Sequence, residues 1–404
     1  MRHHKGMGQK AARSAGEKLI FIEGLRGLAA LYVVLGHICS IADPGVFLGV
    51  KGTGPDWLRA VMQPFGYGHL AVAAFIVISG FCLQMSLFNG GNGDLTNPVR
   101  FFKRRALRIL PPYYACLALS ILVALFITPL GQGLPFSLYL PVTPDAIQSH
   151  VFMYHNFSPD WMYKINGVLW SIAIECQLYL LFPLLVWLLA KAGRPSTFLL
   201  ACSISVSVLI AFPRSEKLYP WYLALFAMGM AGAHLAYKPP SWRGPNAFAA
   251  LLVAGIAAFA CYVGLNNRLI MPLCDALIGV ALVGVLYAGT ISKKLWLNKV
   301  LGCKPLVGLG AISYSLYLMH HPILQPLYLF RPAMAQDPLA ATKYLLVFGL
   351  PIILGLCTAF WFVFERPFVS KRARRPDRRF RPKPLRQTAS VYTHVEHVER
   401  ASAV

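Results

Sequence analysis

Ten stretches of predominantly apolar residues follow one another along the 404-residue chain. Each approaches the ~20 residues that an α-helix needs to cross a bilayer core of ~30 Å. The stretches lie at about 19–41, 68–88, 112–130, 167–190, 196–212, 218–237, 246–264, 270–290, 305–330 and 343–365. This pattern predicts an all-α, polytopic membrane protein with about ten transmembrane helices.

The composition supports a membrane protein and excludes several other classes. Hydrophobic residues make up 57% of the chain and charged residues 13%, whereas about a quarter of an ordinary globular sequence is charged. Disordered chains have low hydrophobicity, which is the opposite composition. Because the chain is so hydrophobic, its net charge of +23 does not indicate nucleic-acid binding. We expect the lipid bilayer to be a partner. Because the nine cysteines form no Cys-x-x-Cys pair, neither a disulfide framework nor a metal site is predicted.

Lysine and arginine are concentrated in alternate loops. With the N-terminus inside, the inner segments hold 29 of these residues and the outer segments hold 8, as the excess of positive charge in cytoplasmic loops requires. The first span is not a cleavable signal peptide, because it contains Arg26 and His37 and no small-residue cleavage site follows it. We therefore predict a basic cytoplasmic tail (1–18), a transmembrane domain (19–368) and a basic, disordered cytoplasmic tail (369–404).

The longest outer segment, about 131–166, is rich in aromatic residues and histidine. It carries Tyr139, His150, Tyr154, His155, Trp161 and Tyr163. We expect this segment to cover a site that faces outward. On the inner side, the basic run from Lys371 to Arg379 has no apolar period, and it is expected to be solvated or to lie against anionic lipid headgroups. A role in binding a partner is the alternative.

Ionisable residues inside the spans are few, and each is costly unless it faces protein or water. In the first span, Glu23, Arg26 and His37 share one helical face, because eleven residues make almost three turns. From the inner end, Arg26 lies ~10 Å along the helix and His37 ~27 Å. In the fourth span, Glu175 lies about two turns below the outer end.

The ninth span carries Ser313, Tyr317 and His321 at intervals of four residues, with His320 beside them. His37, Glu175 and the His320/His321 pair are thus predicted at similar depth. A carboxylate beside an imidazole suits general-base catalysis, because it fixes the tautomer and stabilises the imidazolium. The alternative is polar packing between helices. For the histidines before Pro322, that packing includes satisfying a carbonyl freed by the proline.

A cluster of arginines precedes the third span. Arg104 and Arg108 are four residues apart, and Arg105 and Arg108 are three apart, so a short helix would present a guanidinium fork to a phosphate. Such a fork fits a nucleotide-like, phosphorylated donor. The alternative is that these residues are ordinary positive charges of an inner loop.

Six short motifs occur in a fixed order along residues 20–368. They are Leu25-Arg26-Gly27-Leu28-Ala29-Ala30 with His37, Phe75-Ile76-Val77-Ile78-Ser79-Gly80-Phe81, Arg104-Arg105-Ala106-Leu107-Arg108-Ile109-Leu110-Pro111, Trp170-Ser171-Ile172-Ala173-Ile174-Glu175-Cys176-Gln177-Leu178-Tyr179, Ser313-Tyr314-Ser315-Leu316-Tyr317-Leu318-Met319-His320 and Glu365-Arg366-Pro367. In this order, and with ten spans, the chain resembles the acyltransferase-3 family of integral-membrane O-acyltransferases.

The resemblance implies O-acylation of a carbohydrate or glycolipid acceptor at the bacterial inner membrane, with an acyl-CoA, usually acetyl-CoA, as donor substrate. It implies no tightly bound cofactor. The family's essential arginine and histidine match Arg26 and His37, and its arginine motif matches Arg104, Arg105 and Arg108. The less settled family positions match Glu175 and His320, which we take with His37 as candidate catalytic residues.

The resemblance also suggests a mechanism. The arginines hold the donor's phosphates on the inner side, and the pantetheine arm places the thioester near His37, which removes the acceptor's proton or forms an acyl-imidazole. Gly27 and Gly80 leave room for that arm or permit close helix packing. Some members of the family append a soluble esterase-like domain. Because a short basic tail follows here, we expect the membrane part to act alone or with a separate partner.

Two other classes of function remain possible on the sequence. A transporter also places charges at the bilayer midplane, but the internal repeat typical of many transporters is not detected here. A passive scaffold leaves Arg26, His37 and Glu175 without a reason for their insertion cost. The acceptor, the acyl group and the oligomeric state are not indicated by any residue.

Overall fold

A computed structural model describes residues 19–46, 52–90, 93, 95–212, 218–237, 246–266 and 270–368 of the chain. The predicted tails at 1–18 and 369–404 lie outside the described residues. The cytoplasmic location of these basic tails therefore stays a prediction.

Every regular element in the described ranges is helical, as the apolar pattern predicts. The helices are α1 (Ile20–Ala42), α2 (Asp56–Met62), α3 (Gly68–Gly90), α4 (Pro98–Phe126), α5 (Pro144–Val151), α6 (Pro159–Met162), α7 (Trp170–Ala211), α8 (Tyr222–Tyr237), α9 (Ala247–Asn266), α10 (Met271–Ile291), α11 (Trp296–Leu301), α12 (Lys304–Ala311), α13 (Ser313–Leu329), α14 (Pro338–Tyr344) and α15 (Leu350–Phe360). Two π-helical turns, Leu345–Gly349 and Trp361–Glu365, flank α15 and continue the last helical stretch.

Seven helical stretches among the described residues are long and apolar enough to cross a membrane. They are Ile20–Ala42, Asp56–Asn89, Pro98–Leu130, Trp170–Gly193, Ala247–Leu265, Met271–Ile291 and Pro338–Glu365. The other three predicted spans correspond to shorter helices, Pro195–Ala211, Tyr222–Tyr237 and α13. On α9, Phe248, Ile256 and Phe259 are 76%, 61% and 68% exposed. Such apolar surface is expected to face lipid, and the chain is a multi-pass membrane protein.

The arginine cluster does not lie on a separate short helix. It occupies the first three turns of α4, which continues through Pro111 and Pro112 to Phe126. The side chain of Asn97 caps the start of this helix by accepting a hydrogen bond from the Arg100 amide at 2.8 Å. Proline inside a helix removes one backbone hydrogen bond and normally favours a break. Inside membranes, neighbouring helices compensate for that loss more readily.

One predicted span boundary falls at a backbone break within a long helical stretch, and a second break lies inside a predicted span. In α7, Gly193 adopts a φ of 80°, which separates the fourth predicted span from the fifth. The ninth predicted span consists of two helices, α12 and α13, which are separated at Ile312. This break sets the direction of α13 and therefore the position of its histidines.

Helix α1 lies at the centre of the fold, where it packs against α3, α11, α12 and α13. A Cβ atom at Gly27 would lie 2.5 Å from the carbonyl oxygen of Leu306 in α12. A Cβ atom at Gly80 would lie 2.2 Å from the carbonyl oxygen of Phe226 in α8. Both glycines therefore permit close packing between helices, which is one of the two roles predicted for them.

Candidate active site

The site is built around a contact between two histidines on different helices. Nε2 of His320 on α13 lies 3.3 Å from Nδ1 of His37 on α1. Each ring also lies against the carbonyl of the residue four positions earlier. Nδ1 of His37 is 2.9 Å from Val33 O, and Nδ1 of His320 is 2.9 Å from Leu316 O.

These contacts decide which ring nitrogens carry protons. A carbonyl oxygen can only accept a hydrogen bond, so Nδ1 is the protonated nitrogen in both neutral rings. Nε2 of His320 then accepts from the proton on Nδ1 of His37. The remaining lone pair of the His37 ring is on Nε2, which is the atom that can take a proton or attack a carbonyl carbon.

The predicted alternative for the histidines of α13 was that they satisfy a carbonyl freed by Pro322. The structure assigns that task to other groups. The carbonyl of Leu318, which has no partner amide at Pro322, accepts from Asn166 Nδ2 at 3.3 Å and from the Cys116 thiol at 3.2 Å. The carbonyl freed by Pro322 therefore does not need His320 as a hydrogen-bond partner.

The second histidine of α13 faces the outer segment. The ring centroid of His321 lies 5.7 Å from that of His37 and 4.5 Å from that of Tyr139. Gly167 lies beside this contact, because a Cβ atom there would lie 2.8 Å from the Tyr139 ring and 3.5 Å from His321 Nε2. Gln325 holds His321 from the next turn, with Nε2 3.3 Å from Nδ1.

Glu175 is not paired with a histidine, contrary to the expected pairing of a carboxylate and an imidazole. Its Oε1 accepts hydrogen bonds from Ser79 Oγ at 2.8 Å and from the hydroxyl of Tyr179. Among the described residues, no imidazole lies within hydrogen-bonding distance of this carboxylate. The depth of Glu175 did not determine its hydrogen-bond partner, because the hydroxyl of Tyr179, one turn away on the same helix, donates to its carboxylate.

Glu175 still belongs to the same polar region as the histidines. Its charge lies within electrostatic range of Arg26 and of the Tyr317 hydroxyl. Tyr317 in turn hydrogen-bonds Ser171 Oγ at 2.6 Å, and its ring centroid is 6.1 Å from that of His320. A catalytic role for Glu175 stays a prediction.

Three of the predicted arginines lie near one another in this region. Arg26 forms an ion pair with Glu23, with 3.5 Å between Nη1 and Oε2. Arg26, Arg105 and Arg108 all lie within electrostatic range of the Cys82 side chain on α3. The structure therefore brings the arginine of the first span together with two arginines of α4.

The three arginines of α4 are not equivalent. Arg105 and Arg108 are half-buried, and the Arg105 guanidinium lies 5.9 Å from the ring centroids of Phe101 and Tyr179. Arg104 is exposed, and its Nε lies 3.3 Å from the carbonyl oxygen of Arg100. Within the described ranges, neither Arg105 nor Arg108 forms an ion pair. Both guanidinium groups can therefore accept an anionic partner.

The last motif of the chain has a local structural role. Glu365 is buried, and its Oε2 accepts from the Ser315 amide at 3.2 Å and from Ser315 Oγ at 2.6 Å. A carboxylate at this place satisfies an amide at the start of α13 and complements the helix dipole. Glu365 thereby fixes the N-terminal end of the helix that carries His320.

The outer segment is tied to the helices below it. Asn156 and Gln177 exchange two hydrogen bonds of 3.2 and 2.8 Å between their side-chain amides. The Tyr113 hydroxyl donates to the His150 carbonyl at 2.8 Å. His150 and His155 stack at 3.8 Å between centroids and are fully buried, and burial lowers the pKa of His150 to about 4 and of His155 to about 3.

Several site residues were not singled out from the sequence. Ser79 and Tyr179 lie inside quoted motifs, and the spacing of Tyr179 four residues after Glu175 was a usable signal for their contact. Asn166 comes from the outer segment, where no helical period relates it to α13. Tyr139 was named with that segment, but its contact with His321 was not predicted. Among the described residues, no group of three histidine, cysteine or acidic side chains is arranged to hold a metal ion.

Comparison with known proteins defines the class of this membrane protein. A sequence profile of the acyltransferase-3 family, described as an acyltransferase domain, matches residues 19–365. The chain belongs to this family, and the resemblance inferred from the ordered motifs is confirmed. No solved structure is significantly similar to the chain.

Curated proteins are similar to the chain at low identity. The chain is 25% identical over 340 residues to the peptidoglycan O-acetyltransferase OatA of Listeria monocytogenes, with 75% of this chain and 49% of OatA covered. It is 25% identical over 336 residues to the O-acetyltransferase OatA of Staphylococcus aureus, with 75% and 50% covered. It is also 25% identical over 339 residues to the acyltransferase MdmB of Streptomyces mycarofaciens, with 76% and 79% covered. The chain thus spans about half the length of the OatA proteins.

Proposed function

We propose that this protein is a membrane-bound O-acyltransferase that moves an acyl group, most simply acetyl, from acyl-CoA to a hydroxyl group of a carbohydrate or glycolipid. Membership of the acyltransferase-3 family supports the reaction class. The observation that carries the proposal is the contact between His37 and His320, in which both rings are held by backbone carbonyls at 2.9 Å. In this arrangement the lone pair of the neutral His37 ring is on Nε2, the nitrogen that would take a proton or attack a carbonyl carbon.

The donor is proposed to bind with its phosphates on the inner side. Arg105 and Arg108 are half-buried guanidinium groups that have no ion-pair partner among the described residues, and Arg26 lies within the same electrostatic neighbourhood. A planar guanidinium donates two parallel hydrogen bonds to a phosphate. Arg26 and His37 are eleven residues apart on α1, a rise of about 16 Å. The extended arm of an acyl-CoA would bridge this separation.

The reaction needs one proton acceptor, because a thioester is already activated. His37 Nε2 takes the proton of the acceptor hydroxyl while the oxygen forms a bond to the carbonyl carbon, the carbon–sulfur bond breaks, and the thiolate recovers the proton. Alternatively, Nε2 attacks the carbonyl carbon and the carbon–sulfur bond breaks, which forms an acyl-imidazole and releases the thiolate. The acceptor oxygen then attacks the acyl carbon, the carbon–nitrogen bond breaks, and the hydroxyl proton ends on the thiolate. In both routes, Nε2 of His320 accepts from Nδ1 of His37 and stabilises the positive charge that develops on its ring.

A carbohydrate acceptor is proposed by similarity. Two of the matched relatives are named O-acetyltransferases, and one of these is named for peptidoglycan. The aromatic outer segment is consistent with an acceptor that approaches from the outer side. Glu175, whose charge interacts with Arg26 and Tyr317, is proposed as a second catalytic group beside His37.

The proposed topology has ten spans, with both termini in the cytoplasm of a bacterium and the protein in its inner membrane. The 29 to 8 asymmetry of lysine and arginine supports it. A phosphatase reporter that is active only outside the cytoplasm should be silent after residue 404 and active within 131–166. Activity of the fusion at the C-terminus would contradict the even number of spans.

Thiol release from acetyl-CoA tests the proposed activity. Purified protein in detergent should release CoA when a hydroxylated acceptor is present. His37→Ala should remove this release, because loss of a general base costs ~10²–10⁴-fold in rate. Wild-type rates in a well-folded His37→Gln protein would contradict the mechanism. Hydroxylamine-sensitive labelling by radioactive acetyl-CoA would distinguish the acyl-imidazole route from direct transfer.

A further inference from the structure

The outer segment contains a cleft of about 440 Å³. Its lining includes Ser137, Thr143, Asp160, Trp161, Tyr163 and Lys164. The volume lies within the roughly 300–1,000 Å³ that is usual for sites of small ligands. Trp161 and Tyr163 both line the cleft and are half-buried.

The walls of the cleft are held in place by contacts outside it. The Tyr154 ring contacts the Trp161 ring edge-on at 5.8 Å between centroids. The side chain of Tyr163 lies close to that of Tyr219. Lys164 donates through Nζ to the carbonyl of Leu140. Because these side chains are fixed before a ligand arrives, binding costs less conformational entropy.

The cleft lies next to the histidine cluster. Leu138 lines the cleft, and the following residue, Tyr139, contacts His321 at 4.5 Å between ring centroids. The carbonyl of Tyr139 also accepts from the Ile165 amide at 3.0 Å, directly after the cleft residue Lys164. One short layer of backbone and rings therefore separates the cleft from the His37, His320 and His321 side chains.

The chemistry of the lining favours a neutral, hydroxyl-rich ligand. Asp160 and Lys164 balance in charge, and the ammonium group of Lys164 already donates to a carbonyl, so a polyanion or polycation is not favoured. Among the described residues, no hydrogen bond is made to the Asp160 carboxylate, which can accept from two neighbouring hydroxyls. The Thr143 oxygen accepts from the Ala146 amide at 3.2 Å, which leaves its hydroxyl proton to donate.

We propose that this cleft binds the carbohydrate acceptor, with a sugar ring stacked on Trp161 and Tyr163 and its hydroxyl groups bonded to Asp160 and Thr143. A sugar ring has one apolar C–H face and a polar edge, which matches two aromatic rings beside a carboxylate and a hydroxyl. The inference rests on the proposed function, because it assigns the acceptor side of that reaction.

Binding of neutral oligosaccharides tests the cleft directly. Full-length protein in detergent is titrated with N-acetylchitotetraose, cellotetraose and maltotetraose, and binding is measured by calorimetry. We expect saturable binding of at least one of the three, weakened at least tenfold in Trp161→Ala and in Asp160→Asn. Trp161→Phe retains a stacking surface and should bind more tightly than Trp161→Ala. Trp57→Ala, which removes a 58% exposed tryptophan of another outer segment, is the matched control and should bind like wild type.

Two results would overturn the assignment. One is the absence of binding of all three oligosaccharides to the wild-type protein, and the other is equal binding by wild type and Trp161→Ala. Thiol release from acetyl-CoA by wild-type protein, measured with and without oligosaccharide, tests the proposed function separately. Thiol release without oligosaccharide binding therefore removes the cleft assignment alone, whereas binding without any thiol release in either condition removes the transferase assignment alone.

Discussion

The contact between His320 and His37 makes a prediction that separates catalysis from packing. In His320→Leu, the ring is replaced by an apolar side chain of similar volume, so little cavity is created. In His320→Gln, the side-chain oxygen can still accept a hydrogen bond from His37 Nδ1. If His320 acts through His37, the Gln variant should retain more activity than the Leu variant. If His320 only packs, the order should be reversed.

The expected size of the effect follows from the geometry. A hydrogen bond to a charged group contributes about 1.5–3 kcal/mol, and about 1.4 kcal/mol corresponds to a tenfold change in rate. The N–N distance is 3.3 Å, and the same Nδ1 proton also faces Val33 O at 2.9 Å. Because the Nδ1 proton of His37 is shared between two acceptors, the hydrogen bond to His320 should contribute near the lower end of this range. We expect kcat to fall about 10–30-fold in His320→Leu.

The assay is acyl transfer from acetyl-CoA, with kcat and KM measured for each variant. A double-mutant cycle gives the sharper test, since His320→Leu should cost less than about twofold in a His37→Gln background if it acts through His37. Met319→Leu, a buried change on the same helix, controls for general disturbance of α13. Equal losses in both backgrounds, or more activity in Leu than in Gln, would refute the reasoning.

Three further predictions concern other parts of the molecule. Arg105→Lys and Arg108→Lys should raise the donor KM more than Arg104→Lys, because Arg104 is the exposed member of the cluster; equal, unchanged KM values in all three would return the cluster to a topological role. Asp275→Ala leaves the buried indole N–H of Trp221, now bonded at 2.8 Å, without an acceptor, so stability measured by thermal unfolding in detergent should fall by about 1–3 kcal/mol, and by less in Asp275→Asn. His150 and His155 have pKa values of about 4 and about 3 when folded, below the ~6.5 of an unfolded histidine, so the unfolded chain binds more protons and stability should fall as the pH drops below that value. The loss should reach about 2 kcal/mol per ring at pH 5, and a melting temperature equal at pH 7 and pH 5 would contradict it, whereas His155→Phe should show a weaker pH dependence.

The helices could be located from the sequence because the bilayer requires a minimum length of apolar chain. The predicted span at 270–290 coincides with α10, Met271–Ile291, to within one residue at each end. Boundaries were less accurate where helical geometry continues beyond the apolar stretch. The third span was predicted to begin at 112, but α4 begins at Pro98, because backbone hydrogen bonding does not stop where the side chains become polar.

The proximity of the two histidines could be predicted from the sequence, but the hydrogen-bond pairings of the candidate site residues could not. Helical spacing placed His37, Glu175 and His320 at one depth, since rise per residue is fixed. It could not determine which neighbours touch, because rotation about each helix axis depends on packing at glycines such as Gly27. Glu175 therefore bonds Ser79 and Tyr179, and His37 contacts His320. Tyr139 contacts His321 from an irregular segment, whose course cannot be predicted from helical periodicity.

The arrangement of helix α1 has a consequence for how the reaction could cross a membrane. Arg26 and His37 share one helical face and are separated by about 16 Å, roughly half of a ~30 Å bilayer core. A donor held at Arg26, Arg105 and Arg108 therefore need not cross the bilayer, because only its thioester has to reach the depth of His37. An acceptor in the outer cleft meets the same depth from the other side, at Tyr139 and His321. On this proposal the two substrates stay on opposite sides, and α1 fixes the separation between donor binding and acyl transfer.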